Sequence, residues 1–223
     1  MATQVMAPQP AQEQGYESHR LTMPVGEAMF SQRAIRRLKP DPIPARDLKL
    51  ILDAASKAPS GGNRQIARFL VITDRKRIQE FGKLYHEAWW SKRADEKQPF
   101  KRREEIPEHD KNHRSAALLA DEMKDAPCVV LAFAQAPGPA HSVLPACQNL
   151  MLAARALGVG SVITTLHPKV MERFQALFNV PKDMVFHHCI PLGYPRGNFG
   201  PTNRLPTSQT TFFDTWGQPP PWK

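Results

Sequence analysis

Cysteine is scarce in this sequence, and the little there is lies scattered. Cys128, Cys147 and Cys189 stand in apolar surroundings, at spacings that suit neither a disulfide framework nor a Cys/His metal set. The expectation is free buried thiols in a reducing compartment, the cytoplasm, and no metal site. The adjacent His187-His188 pair does not alter this, because neighbours on a strand point to opposite faces. Long apolar runs are missing as well, since no stretch reaches the roughly 18 residues that a membrane span requires. The opening MATQVMAPQPAQEQGYESHR has no basic region followed by an apolar one, so it does not read as a secretory leader. Residues 1–22 are expected to form a polar, flexible arm. Familiar catalytic signatures are also lacking. There is no G-x-S-x-G, no convincing carboxylate pair and no P-loop. GVGSVI lacks the last glycine and the following helix of a dinucleotide fingerprint. A chain with neither an evident nucleophile nor a base points to a cofactor that brings its own reactivity.

What the sequence does hold is an ordinary globular composition, 41% apolar and 23% charged over 223 residues, enough for one large domain, 23–223. The formal charge of +9 suggests either nucleic acid or a phosphorylated small molecule. Its distribution favours the second. Residues 83–114 carry nine Lys/Arg against seven Asp/Glu, a nearly balanced segment, whereas SQRAIRRLK has four basic residues and no acid. Along the chain, a short helix is expected at 24–31. Leu48, Ile51, Leu52 and Ala55 then recur at amphipathic helical spacing up to Pro59. ARFLVITD (67–74) reads as a buried strand, and the next helix starts at Arg75. The charged, proline-broken part of 83–114 reads as a lid or insertion. Strands are expected at 127–134, 159–166 and 184–193, with helices at 142–157 and 169–178 between them. This alternation favours a layered α/β or α+β domain. The tail, 196–223, is rich in turn residues and holds Phe199, Phe212, Phe213, Trp216 and Trp222. Such a segment needs a surface to lie on, in its own domain or in a partner subunit.

Four stretches could carry chemistry, and each also has a purely structural reading. In Gln32-Arg33-Ala34-Ile35-Arg36-Arg37, arginines three apart would share one side of a turn and grip a phosphate, or form a solvated helix end. In APSGGNRQ, a hydroxyl, glycine-flanked backbone N–H groups and the amides of Asn63 and Gln65 could read a heterocycle edge, or simply make a turn. CQNLMLAARALGVGSVITT places Gln148 and Asn149 on an otherwise apolar helix leading into a strand, where amides could bind or could cap neighbours. LGYPRGNFGPTNRLP puts Arg204 after a glycine-rich loop.

In this order, the four stretches resemble the FMN-dependent nitroreductase family over about residues 24–217. The motifs resembled are R-R-S-x-R at Gln32 to Arg36, A-P-S-x-x-N-x-Q at 58–65, QNLMLAAxALGLGS, and LGYP followed by a late basic residue. The resemblance implies an α+β, three-layer fold: a central mixed β-sheet flanked by helices, with the C-terminal tail embracing a second copy in a homodimer with shared active sites. It implies FMN as cofactor and NAD(P)H as reductant. Arg33, Arg36 and Arg204 would hold the phosphate, within a segment that includes Gln32 and Ala34. Pro59, Ser60, Gly61, Asn63 and, more loosely, Gln65 would lie over the flavin of the other protomer. Gln148 would face the pyrimidine edge. Ile163, Thr164 and Thr165 would run beside the ring, with the Thr165 backbone N–H donating to N5. Trp89, Trp90 and Phe100 would form a lid over a planar substrate, or merely pack. The implied activity is ping-pong hydride transfer to nitroaromatic, quinone or similar small-molecule acceptors. Alternatives are reductive dehalogenation, flavin destruction, or a non-catalytic flavin- or nucleic-acid-binding role. Gln32 stands where the family motif has Arg and Ala34 where it has Ser, so one charge and one hydroxyl are missing from the phosphate end.

Overall fold

Prolines and apolar spacing together place the first helices. Pro24 and Pro44 stand at the N-caps of α1 (Val25–Ser31) and α2 (Ala45–Ser56). Asp47 lies in the first turn of α2, where its charge suits the helix dipole. The computed structural model describes residues 16–222, so most of the expected N-terminal arm lies outside the described residues. The end of that arm, from Tyr16, is tied down. Arg20 donates to Asp47 and to Glu17, and the Lys57 ammonium sits 4.0 Å from the Tyr16 ring centre.

Four strands form one sheet in the order β1-β2-β4-β3: β1 (Ala67–Ile72), β2 (Cys128–Gln135), β3 (Gly160–Ser161) and β4 (Met184–Gly193). All strand pairs are antiparallel. The parallel part of the expected mixed sheet is an isolated bridge between Ala34 and Ser161. Strand β2 explains the layering. Cys128, Val130, Ala132 and Ala134 enter one core, with Ile51 of α2 and Leu150 of α5 (Leu144–Ala156). Val129, Leu131 and Phe133 enter the other, with Phe81 of α3 (Arg75–Asp95) and Phe174 of α6 (Met171–Phe178). The two-residue period of a strand buried on both faces thus yields a helix–sheet–helix sandwich. On the α3 side the approach is close. A Cβ at Gly82 would come within 2.5 Å of the Lys124 backbone, so only glycine fits there.

Four details of the expected layout differ. Strand β1 is half-buried, because it lies at the sheet edge and not in its middle. The strand expected at 159–166 has only two ladder residues. Ser161 pairs with Leu192 and Thr164 with Cys189, the same register, but Val162 and Ile163 interrupt the ladder between them. The lid expected over 83–114 is helical at both ends. Helix α3 runs on to Asp95, because no proline intervenes before Pro99 and Ile78, Phe81, Tyr85 and Ala88 keep an apolar stripe. Asp110 then caps α4 (Lys111–Glu122) through the His113 N–H at 3.1 Å. Between these helices the chain makes a short turn at Arg103–Glu105. The histidine pair departs from strict alternation as well. A register shift in the β2–β4 ladder falls opposite it, so that Ala132 faces His188 and Phe133 faces Phe186.

Candidate active site

The basic segment after α1 is extended. Gln32 ends the helix with extended dihedrals, the Ile35 N–H donates to the Ser161 carbonyl at 2.9 Å, and Leu38 bridges Pro195. Gly160 permits this contact, since a Cβ there would lie 2.7 Å from the Ile35 side chain. Arg33 and Arg36 therefore do not sit on a helical turn, and Ile35 and Leu38 between and beyond them both enter the α3-side core. Arg33 and Ala34 are exposed, while Arg36 is half-buried. Burial lowers the Arg36 pKa from its usual value, and the nearby Tyr85 works in the opposite direction. Among the described residues its guanidinium makes no hydrogen bond and no ion pair.

Tyr85 touches the 163–165 segment, a contact that pattern reading of the sequence missed. It belongs to the apolar stripe of α3 and is 2% exposed, yet its hydroxyl is 2.9 Å from Thr164 Oγ1. Burial pushes the phenol pKa well up, so the group is a neutral hydrogen-bonding phenol at physiological pH. Thr164 is doubly held, because its N–H and C=O exchange bonds of 2.9 and 2.8 Å with Cys189. The 163–165 segment is thereby fixed, with Ile163 and Thr164 half-buried and Thr165 exposed.

The APSGGNRQ stretch folds around its own serine. Ser60 Oγ accepts from the Gln65 N–H at 2.8 Å, and the Ser60 carbonyl accepts from the Asn63 N–H at 2.8 Å. Ser142, also unremarked in the sequence, accepts from the Gly61 N–H at 3.2 Å. Gly62 has φ +59°, as glycine readily does, but Asn63 and Gln65 are left-handed too, at +53° and +50°. Non-glycine residues in this conformation carry strain, which is concentrated at functional sites. Pro59, Gly61, Asn63 and Gln65 are exposed and Ser60 is half-buried, so the loop offers its amides outward.

On α5 the two amides divide. Asn149 donates to the Ala54 carbonyl at 3.2 Å and joins α5 to α2, a structural task. Gln148 is exposed. In the tail, Arg204 is exposed and donates to the Asn203 carbonyl at 2.8 Å, with no hydrogen bond to the 32–36 segment. The three candidate lid aromatics also part company. Phe100 is 6% exposed and packs with Ile106 and Ala117, so it is not offered to a ligand. Trp89 and Trp90 are half-buried and meet edge to face at 4.6 Å, and Trp90 Nε1 donates to His86 Nε2 at 3.1 Å. Trp90 lines an open cavity of about 740 Å³, together with Lys101, Arg103, His167 and Lys169. The last two follow Thr165 closely in the chain, but neither Thr164 nor Thr165 lines the cavity.

All three thiols are buried, and burial raises the pKa of Cys128 and Cys147 to about 12. No metal-ligating cluster of three or more occurs among the described residues. No helix among them is long and apolar enough to cross a membrane.

Comparison with known proteins places this geometry. The model of the nitroreductase family matches residues 30–194. An iodotyrosine deiodinase from Thermotoga neapolitana is 31% identical over 166 residues, covering 74% of this chain and 84% of that protein. An NADH dehydrogenase from Thermus thermophilus is 30% identical over 212 residues, covering 86% of this chain and 98% of that protein. Among solved structures, an oxidized iodotyrosine deiodinase bound to FMN and 3-iodo-L-tyrosine superposes with a TM-score of 0.63 at 26% identity, covering 82% of this chain and 94% of the other.

Proposed function

This chain belongs to the nitroreductase family, and from that membership we propose that it is an FMN-dependent oxidoreductase passing electrons from NAD(P)H to a planar small-molecule acceptor. The observation that carries the reading is Arg36. Its half-buried guanidinium makes no hydrogen bond or ion pair among the described residues and lies near Tyr85, an environment suited to an electron-rich group that offsets its lost hydration. The residues present fit FMN in kind: exposed cations for a phosphate, outward amides for a polar ring edge, and a fixed backbone segment beside them.

In this reading Arg33 and Arg204 serve the phosphate. Arg36, half-buried where Arg33 is exposed, serves the polar edge of the ring system with Gln148. Thr165, held in place through Thr164 and Tyr85, presents its backbone N–H to N5. The Pro59–Gln65 loop covers the site of the neighbouring protomer. When bound, FMN supplies reversible acceptance of a hydride equivalent. The chain's own task is orientation, charge pairing and exclusion of water, and no side-chain base is needed for the reductive half. Val25 (72% exposed), Met29 (57%) and Phe30 (79%) on α1, and separately Trp216 (91%) in the tail, are exposed apolar side chains that a second copy would cover.

The purified protein is expected to be yellow and to bleach on anaerobic addition of NADPH or NADH. Because one pocket serves reductant and acceptor in turn, double-reciprocal plots at several acceptor concentrations should be parallel. A colourless protein that takes up no FMN would defeat the proposal. A second reading, reductive dehalogenation, is favoured by the deiodinase relatives. Halide release from a halogenated tyrosine by the reduced protein would select it over nitro- or quinone reduction.

A further inference from the structure

The basic segment begins with a neutral Gln32, yet a guanidinium stands close to it from another element. Arg155, in the last turn of α5, donates through Nε to Ser31 Oγ at 2.9 Å, one residue before Gln32. The Gln32 amide lies 3.8 Å from Met151 Sδ, one helical turn earlier on the same face of α5. Gln32 and Arg155 therefore share one seam between α1 and α5. The Arg155 side chain is only 12% exposed and is held from several directions. Its guanidinium carbon sits 4.2 Å from the Phe199 ring centre. The Glu27 carboxylate is 3.6 Å from a terminal nitrogen, too far for a hydrogen bond, and is itself 55% exposed. Neither terminal nitrogen makes a hydrogen bond among the described residues. A guanidinium fixed at Nε and stacked on its face has its outer fork left to offer, the geometry that matches phosphate.

We propose that Arg155 is a phosphate-binding residue of this chain and supplies, from α5, the guanidinium that position 32 lacks. The inference rests on the FMN reading, since the ligand is a phosphate monoester seated beside Gln32 and Arg33. Phe199, stacked on Arg155, lies five residues before Arg204. The same side chain thus anchors the base of the tail that carries the second expected phosphate ligand.

The test is fluorescence titration of apoprotein with FMN and with riboflavin, which lacks the phosphate. Wild type should bind FMN far more tightly than riboflavin. In R155A, FMN affinity should fall by about 10- to 100-fold, with riboflavin affinity unchanged to within about twofold. R155K should recover part of the loss, because it restores the charge without the fork. Equal losses for both ligands would reduce Arg155 to a structural contact and overturn the assignment, as would an unchanged FMN affinity. Should R155A fail to fold, R155K and R155Q carry the test through inorganic phosphate, which should raise the melting temperature of wild-type apoprotein and not that of R155Q. An equal rise in both proteins overturns the assignment. Failure of wild type to bind FMN defeats the broader reading, whereas loss of only the FMN–riboflavin difference between variants defeats Arg155 alone.

Discussion

Two regions of this chain, 83–114 and 196–222, are both polar segments studded with aromatic residues, and the fold treats them in opposite ways. In the first, the aromatics find partners within the chain. Tyr85 is buried under the sheet, Phe100 lies in its own small cluster, and Trp89 packs between Trp90 and Arg93. In the second, Phe212 meets Trp216 at 4.5 Å and Phe213 meets Trp222 at 5.5 Å, yet Trp216 remains 91% exposed. The difference lies in what surrounds each region. Segment 83–114 is bracketed by two helices that dock on the sheet, so its rings are carried into a core. The tail leaves the sheet at Gly193 and, beyond Phe199, which packs on the α3-side core, has only turns and a four-residue helix, α7 (Thr207–Thr210), none of whose residues is buried. Aromatic content is therefore no guide to burial until the flanking elements are known.

This contrast yields graded expectations. The largest concerns the tail. Truncation after Arg196 should leave the fully buried residues of both cores in place, removing only the partly buried Phe199 from one of them, but abolish the proposed dimer in sedimentation and strip bound flavin, and a truncated protein that remains a yellow dimer would show the tail to be passive. Next, Phe100→Ala should lower stability by about 2–4 kcal/mol in chemical denaturation, whereas Trp216→Ala should leave the isolated chain within about 0.5 kcal/mol and weaken only subunit association. Equal effects of the two on unfolding would refute the division drawn between the regions. A smaller change is expected for Tyr85→Phe. It removes one hydrogen bond and leaves the Thr164 hydroxyl without its partner, at a cost of about 1–2 kcal/mol read from the denaturation midpoint. The smallest effect is acid lability of the surface that joins α6 to α3. Two bonds from Arg173, at 2.7 and 2.9 Å, hold the Glu87 carboxyl below its ordinary range. A carboxylate depressed in the folded state stabilises above its unfolded value and loses that contribution as pH falls through the folded one. The melting temperature should therefore decline more steeply below about pH 4 in wild type than in Glu87→Gln.

Much of the frame was legible in the sequence. The amphipathic spacing of α2, the apolar runs of β2 and β4 and the punctuation by Pro59, Pro99 and Gly193 followed from period and turn chemistry alone, and so did the burial of the three thiols. Family membership was legible in the ordered set of motifs, even though each was ambiguous by itself. Where the reading failed, it failed on contacts between distant segments. Arg33 and Arg36 looked like neighbours on a helical turn, because nothing local says that Ile35 will bond Ser161 and hold the segment out of a helix. Phe100 looked available to a substrate, because its partners Ile106 and Ala117 lie in a segment whose local pattern is irregular.

Local sequence thus set the periods, the stops and the residue types on offer: which segments coil or extend, and that cations, amides and glycines are present without a nucleophile. Tertiary structure alone decided their pairing. It set Tyr85 against Thr164, left Arg36 half-buried with no ion pair among the described residues, and brought Arg155 from α5 to the end of α1. The physical reason is range. Helix and strand preferences act over a few residues, whereas these contacts join positions 79 and 124 apart, and such contacts exist only once both cores have closed on the sheet.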